Sequence, residues 1–205
     1  MEVRWKNFKG FKDTGWIKIN PVTIILGSNN CGKTSFLAPL LLMNQTINSR
    51  DSLSPLILKG DVFDGGNYQE IVKDYDVTKE IFFGLKYSTI KTPDKTKELG
   101  HYPPGGFEVT FIQDEKTKEL SLKQITIYDI MDRVFLSLKK ESNGKFKYTG
   151  IGGKSLRKYE REAISNSLPT NFLISPNGVL SELEDVQSRK ANNKSPEQFS
   201  IGFSH

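Results

Sequence analysis

A chain of 205 residues, with 36% apolar and 11% aromatic side chains, can bury one sizeable core or a core with an appended subdomain. No apolar run approaches the ~20 residues that span a bilayer, the first residues lack a secretory stretch, and the lone Cys31 excludes an internal disulfide framework, so the expected location is cytoplasmic with no membrane contact. The net charge of +5 is concentrated early: residues 1–50 hold seven Lys/Arg against two Asp/Glu, and the remainder holds 22 of each, so a positive field that attracts polyanions is expected there.

In chain order, Val3-Arg4-Trp5-Lys6 and Trp16-Ile17-Lys18-Ile19 alternate apolar with polar residues and predict strands wetted on one face. Val22-Thr23-Ile24-Ile25-Leu26 is continuously apolar but for Thr23 and predicts a strand buried on both faces, entered after Pro21. From Lys33 to about Ile47, helical spacing of Phe36, Leu37, Leu40, Leu41, Met43 and Ile47 predicts a helix with that stripe in the core, kinked at Pro39. Asp64-Gly65-Gly66-Asn67 reads as a turn. Strand-like runs at 80–87, 106–112, 120–128, 133–138 and 145–148, separated by polar loops, predict an antiparallel meander. Residues 92–105, with three prolines, read as a loop. Residues 156–167 and 180–189 read as helices, the second with a capping box from Ser181 and Glu184, followed by a polar tail. The organisation expected is α/β: a P-loop lobe over 1–90, an antiparallel β subdomain over 91–150, and a helical or irregular tail over 151–205.

Gly27-Ser28-Asn29-Asn30-Cys31-Gly32-Lys33-Thr34 matches G-x-x-x-x-G-K-[ST] at every fixed position. Glycines let a backbone wrap a triphosphate without Cβ interference, and the following helix start offers unpaired N–H donors. In this pattern Lys33 places a charge on the β- and γ-phosphates, while Thr34 offers its hydroxyl to Mg²⁺. Chance produces the pattern in roughly one chain in a hundred of this length. The apolar run before it and the helix after it make a nucleotide loop the better reading. The expected ligand is ATP with Mg²⁺, held by residues 27–34 and Ser35. Cys31 occupies a free position of the loop and reads as a small filler.

The stretch Arg4-Trp5-Lys6-Asn7-Phe8-Lys9-Gly10-Phe11-Lys12-Asp13, followed by residues 17–37, resembles the opening of ABC-class ATPases of the RecF/SMC/OLD type. Residues 40–46 and 55–61 look like the AAA_15/AAA_21-type ATPases within that group, many of which accompany effectors in anti-phage systems. The resemblance covers about residues 1–90. It implies an ABC-type lobe with its β subdomain, and a nucleotide sandwiched between two copies facing head to tail. The turn at 7–12, with Lys9, would then lie near base and ribose, and Gln45 or Gln69 would touch Mg²⁺ or the attacking water. DNA, or a nuclease or other effector subunit, are the partners it implies.

A working site of this type also takes an apolar strand ending in Asp-Glu, a serine-glycine signature and a late histidine. Leu180-Ser181-Glu182-Leu183-Glu184-Asp185 has acids without a preceding buried strand, and Gly150-Ile151-Gly152-Gly153-Lys154-Ser155 resembles a signature only superficially. His101 lies in a Pro-rich loop and His205 at the chain end. The chain alone is therefore expected to bind nucleotide better than it hydrolyses it. Two explanations stay open: a separate polypeptide or a C-terminal half completes the ATPase, or the chain is a binding module without hydrolysis. A GTPase is disfavoured because Asn192-Asn193-Lys194-Ser195 fails the guanine-reading pattern at its last position. A small-molecule kinase is disfavoured because no arginine-rich lid follows the loop.

Overall fold

The computed structural model describes residues 1–49, 54–87, 104–114, 116–142 and 146–149. Its framework is a sheet of eight strands: β1 (Glu2–Phe8), β2 (Phe11–Asp13), β3 (Ile17–Lys18), β4 (Ile81–Lys86), β5 (Pro104–Gln113), β6 (Leu120–Asp129), β7 (Val134–Lys140) and β8 (Phe146–Thr149). The order is β2-β1-β4-β5-β6-β7-β8, with β3 sharing the outer edge of β1 with β2. Every pairing is antiparallel. The meander β5 to β8 follows the alternation read from sequence, with ends shifted by one or two residues.

The sheet runs without a break across residue 90. β4 pairs with β5 from Ile81↔Phe111 to Lys86↔Gly106, so the boundary expected at 90 falls inside the connection of two neighbouring strands. The inward residues of β4 account for this, because Ile81, Phe83 and Leu85 are buried between Val3, Trp5 and Phe8 of β1 and Val109 and Phe111 of β5. In β1, Asn7 takes φ 52°, and Phe8 rather than Asn7 then faces the core. The Asn7 amide meanwhile donates to the carbonyl of Glu80.

Helix α1 (Lys33–Ile47) has the expected bounds and runs through Pro39. Its buried side is not the expected stripe. Phe36 and Met43 are inside, but so are Ala38, Pro39, Leu42, Gln45 and Thr46, while Leu37 is 43% and Ile47 53% exposed. Apolar residues occupy both its buried and its exposed sides, so hydropathy alone does not say which side meets the sheet. A second, short helix, α2 (Tyr68–Ile71), follows the turn read at 64–67. Asn67 closes a capping box with Glu70, satisfying two helix-end donors.

The largest departure is the segment 22–26. It joins no ladder among the described residues, and Val22, Ile24 and Leu26 are 80%, 76% and 86% exposed; only Ile25 packs on the core. A β-branched run becomes a buried strand only where neighbouring strands flank it. Both sides of β1 are already taken, by β4 on one and β2 and β3 on the other. Residues 92–103, both helices expected at 156–167 and 180–189, and the tail lie outside the described residues.

Candidate functional site

The segment 27–34 links the exposed run to α1. Its path needs two backbone reversals: Asn30 takes φ 63° and Gly32 φ 93°, and the amide of Cys31 donates to the carbonyl of Ser28 at 3.4 Å. Asparagine tolerates the left-handed region and glycine enters it freely. At Gly27 the constraint is space, since a Cβ there would lie 2.4 Å from Cys31 Sγ.

Helix α1 begins without a side-chain cap, and Gly32 serves as its N-cap. The first intrahelical bond is Phe36 N–H to the Gly32 carbonyl at 2.9 Å, and the amides of Lys33, Thr34 and Ser35 take no backbone acceptor among the described residues. Such a helix start carries free donors and the positive end of the helix dipole. Lys33 adds a formal charge to the same place. Its ammonium folds back over the loop and donates to the carbonyls of Gly27 at 2.8 Å and Ser28 at 2.5 Å, with Cys31 Sγ at 3.9 Å. The cation is thus held by weakly basic carbonyls rather than by a carboxylate, an arrangement that an anion can replace at small cost. Thr34, next along, is exposed, with no side-chain hydrogen bond among the described residues.

Aromatic packing fixes this start of α1 to the sheet. The Trp5 indole N–H donates to the carbonyl of Phe36 at 3.0 Å, and both rings are buried. Phe11 meets Phe36 edge-on at 6.1 Å between centroids, and its ring edge would lie 3.7 Å from a Cβ built on Gly32. The β1–β2 hairpin therefore stands beside the loop. Sequence reasoning did not single out Trp5 or Phe11 as positioning residues. The available signal was Trp5 on the inward side of β1 and Phe11 in the turn that carries the family resemblance.

Of the other expected contributors, Lys9 sits on that hairpin turn at φ 47°, its amide donating to the Ile71 carbonyl at 2.7 Å. Gln69 is exposed on α2. Gln45 has a different duty. It lies twelve residues beyond Lys33 in α1, roughly 18 Å along the axis. Its amide donates to the Ile57 carbonyl at 2.7 Å and accepts from the Phe63 N–H at 3.0 Å, so both ends are committed to the segment after α1. Among the described residues, no three His, Cys, Asp or Glu side chains group as metal ligands.

Farther from the loop, Arg4 pairs with Asp13 through two hydrogen bonds across the hairpin, at 2.9 and 2.6 Å. The Arg4 bond first, and the Gly15 amide second, hold the Asp13 carboxyl well below the usual carboxylate range. No helix among the described residues is long and apolar enough to cross a membrane.

A family model described as an AAA ATPase domain matches residues 1–200. No curated protein matches the chain.

Proposed function

The chain belongs to the AAA ATPase domain family, whose members bind ATP with Mg²⁺, and from that premise we propose that residues 27–35 are its nucleotide site. The observation that carries the reading is the Lys33 ammonium, held inside the curve of the loop by two backbone carbonyls at the uncapped start of α1. In this reading the ammonium leaves Gly27 and Ser28 and turns to the β- and γ-phosphates. The amides of Lys33, Thr34 and Ser35, with those of the loop from Ser28 to Gly32, surround the remaining phosphate oxygens. Thr34 would offer a bound Mg²⁺ its hydroxyl. Mg²⁺ held there would neutralise charge on the phosphate oxygens. The hairpin turn that carries Lys9 and Phe11 would lie near base and ribose. Gln69 is kept as the candidate second contact to the metal.

The residues fit this ligand in three respects. A Cβ at Gly27 would fill space beside the loop, Gly32 holds a backbone angle closed to most residues, and the helix start has donors without acceptors.

At a finer level, the lobe is of the ABC type and closes as a head-to-tail pair around nucleotide. A C-terminal half or partner chain supplies the remaining catalytic groups, and closure drives a DNA-acting or anti-phage effector such as a nuclease. Closure requires that ATP bind the shut state more tightly than the open one. The second reading, a nucleotide-binding sensor without hydrolysis, draws on the same loop and differs only in releasing no phosphate.

The test is a calorimetric titration of the chain with Mg·ATP, with Lys33→Ala as control. Loss of a charge-assisted bond to phosphate is expected to weaken binding at least about tenfold. Equal binding by both proteins contradicts the site.

A further inference from the structure

We infer that Tyr75 stacks on the base of the bound nucleotide, a contact that rests on the nucleotide reading above and acts on the base, not on the phosphates. Residues 73–76 close a tight turn, with the Asp76 amide donating to the Lys73 carbonyl at 3.3 Å. Both central residues are left-handed, Asp74 at φ 60° and Tyr75 at φ 59°. Such a turn favours asparagine or aspartate at its first central position and glycine at its second. Asp74 follows that preference, and Tyr75 stands where glycine is favoured. A bulky residue kept in a disfavoured backbone conformation points to a duty of its side chain. The fold gives that ring none: it is 70% exposed, and the side chain makes no hydrogen bond or ring contact among the described residues.

The turn is braced, and it borders the hairpin that stands beside the loop. Lys73 and Lys79 hold Asp74 at 2.8 and 2.9 Å, and Lys79 also reaches Asp76 at 3.6 Å. The Tyr75 amide lies 3.4 Å from the Val72 carbonyl, and Val72 pairs with Phe8 at the end of β1. Phe8 is in turn the register partner of Phe11, whose ring stands beside Gly32 of the loop. Two cross-strand steps of about 5 Å each therefore separate Val72 from Phe11. A nucleoside anchored by its phosphates in the loop can bridge that span. With the charges of Asp74 and Asp76 offset by two lysines, the surroundings of the ring favour an uncharged planar group over a phosphate. Stacking tolerates any base, so Tyr75 adds affinity without reading base identity.

The experiment titrates the full chain with Mg·ATP, Mg·GTP and Mg·tripolyphosphate by calorimetry, in wild type, Tyr75→Gly, Tyr75→Phe and Lys33→Ala. Tyr75→Gly should weaken ATP and GTP at least about fivefold and leave tripolyphosphate within about twofold, while Tyr75→Phe keeps all three. Glycine relieves the left-handed strain, so the urea midpoint of Tyr75→Gly should stay at or above that of wild type. Lys33→Ala should lose all three ligands, which separates the phosphate loop from the stacking contact. Equal ATP affinity in wild type and Tyr75→Gly overturns the inference and leaves the loop standing. An equal loss for ATP and tripolyphosphate also overturns it, as does a Tyr75→Gly midpoint below wild type, which gives the ring a structural duty. Wild type that takes up none of the three ligands removes the nucleotide reading and this contact together.

Discussion

Replacing Gln45 by leucine separates a structural amide from a metal-binding one. The side chain is 7% exposed and makes two bonds, one given to the Ile57 carbonyl and one taken from the Phe63 amide. Leucine preserves most of the volume and removes both. Each bond is worth about 1 kcal/mol net, and a partner left without water or protein costs about 1–3 kcal/mol. Ile57 and Phe63 are only partly buried, so some water reaches them, and the lower end applies: about 2–3 kcal/mol in total. Neighbouring Thr46 cannot take over, because its hydroxyl already donates to the Leu42 carbonyl and accepts from the Ile57 amide. Urea denaturation followed by far-ultraviolet circular dichroism reads the loss as a lower midpoint, and the Mg·ATP affinity of the folded protein should stay within about threefold. An unchanged midpoint with lost affinity refutes the reasoning and returns Gln45 to the metal.

Trp5→Phe removes the indole donor to the Phe36 carbonyl and shrinks a fully buried ring, so a loss of about 1–3 kcal/mol is expected together with weaker Mg·ATP binding; unchanged affinity at an intact fold contradicts the anchoring role. The depressed carboxyl of Asp13 gives its stabilisation in full above its unfolded value of about 4, and loses it as pH falls toward the lower folded value. Acid titration of Arg4→Met should therefore show a flatter decline below about pH 4 than wild type, with less than about 1 kcal/mol between them at neutral pH because the pair is partly exposed.

Where the outcome of folding depends on local pattern, the sequence was readable. The bounds of α1 follow from helical spacing, and the strands of the meander follow from alternation between polar loops. The pattern at 27–34 stands out in the sequence because it is local: two glycines, a lysine and a hydroxyl at fixed spacing. Three features depended on distant partners and were misread or missed. The side of α1 that packs is chosen by the sheet, since Leu37 and Leu42 are alike in hydropathy but only Leu42 is buried. The fate of residues 22–26 depends on which strands flank them, and β2, β3 and β4 occupy β1 instead. The duty of Gln45 depends on how residues 57–63 fold back onto the end of α1, which no spacing within the helix announces.

The most direct measurement of the central claim uses the single cysteine of the chain. Cys31 is exposed in the middle of the loop, with its sulfur 3.9 Å from the Lys33 ammonium. Alkylation by a maleimide, followed by intact mass, therefore reports on that loop alone. If triphosphate lies in the loop, saturating Mg·ATP should slow labelling of wild type at least about tenfold and leave Lys33→Ala labelling at its unprotected rate. Labelling that proceeds equally fast with and without Mg·ATP, in wild-type protein shown by calorimetry to be saturated, places the nucleotide elsewhere and contradicts the account.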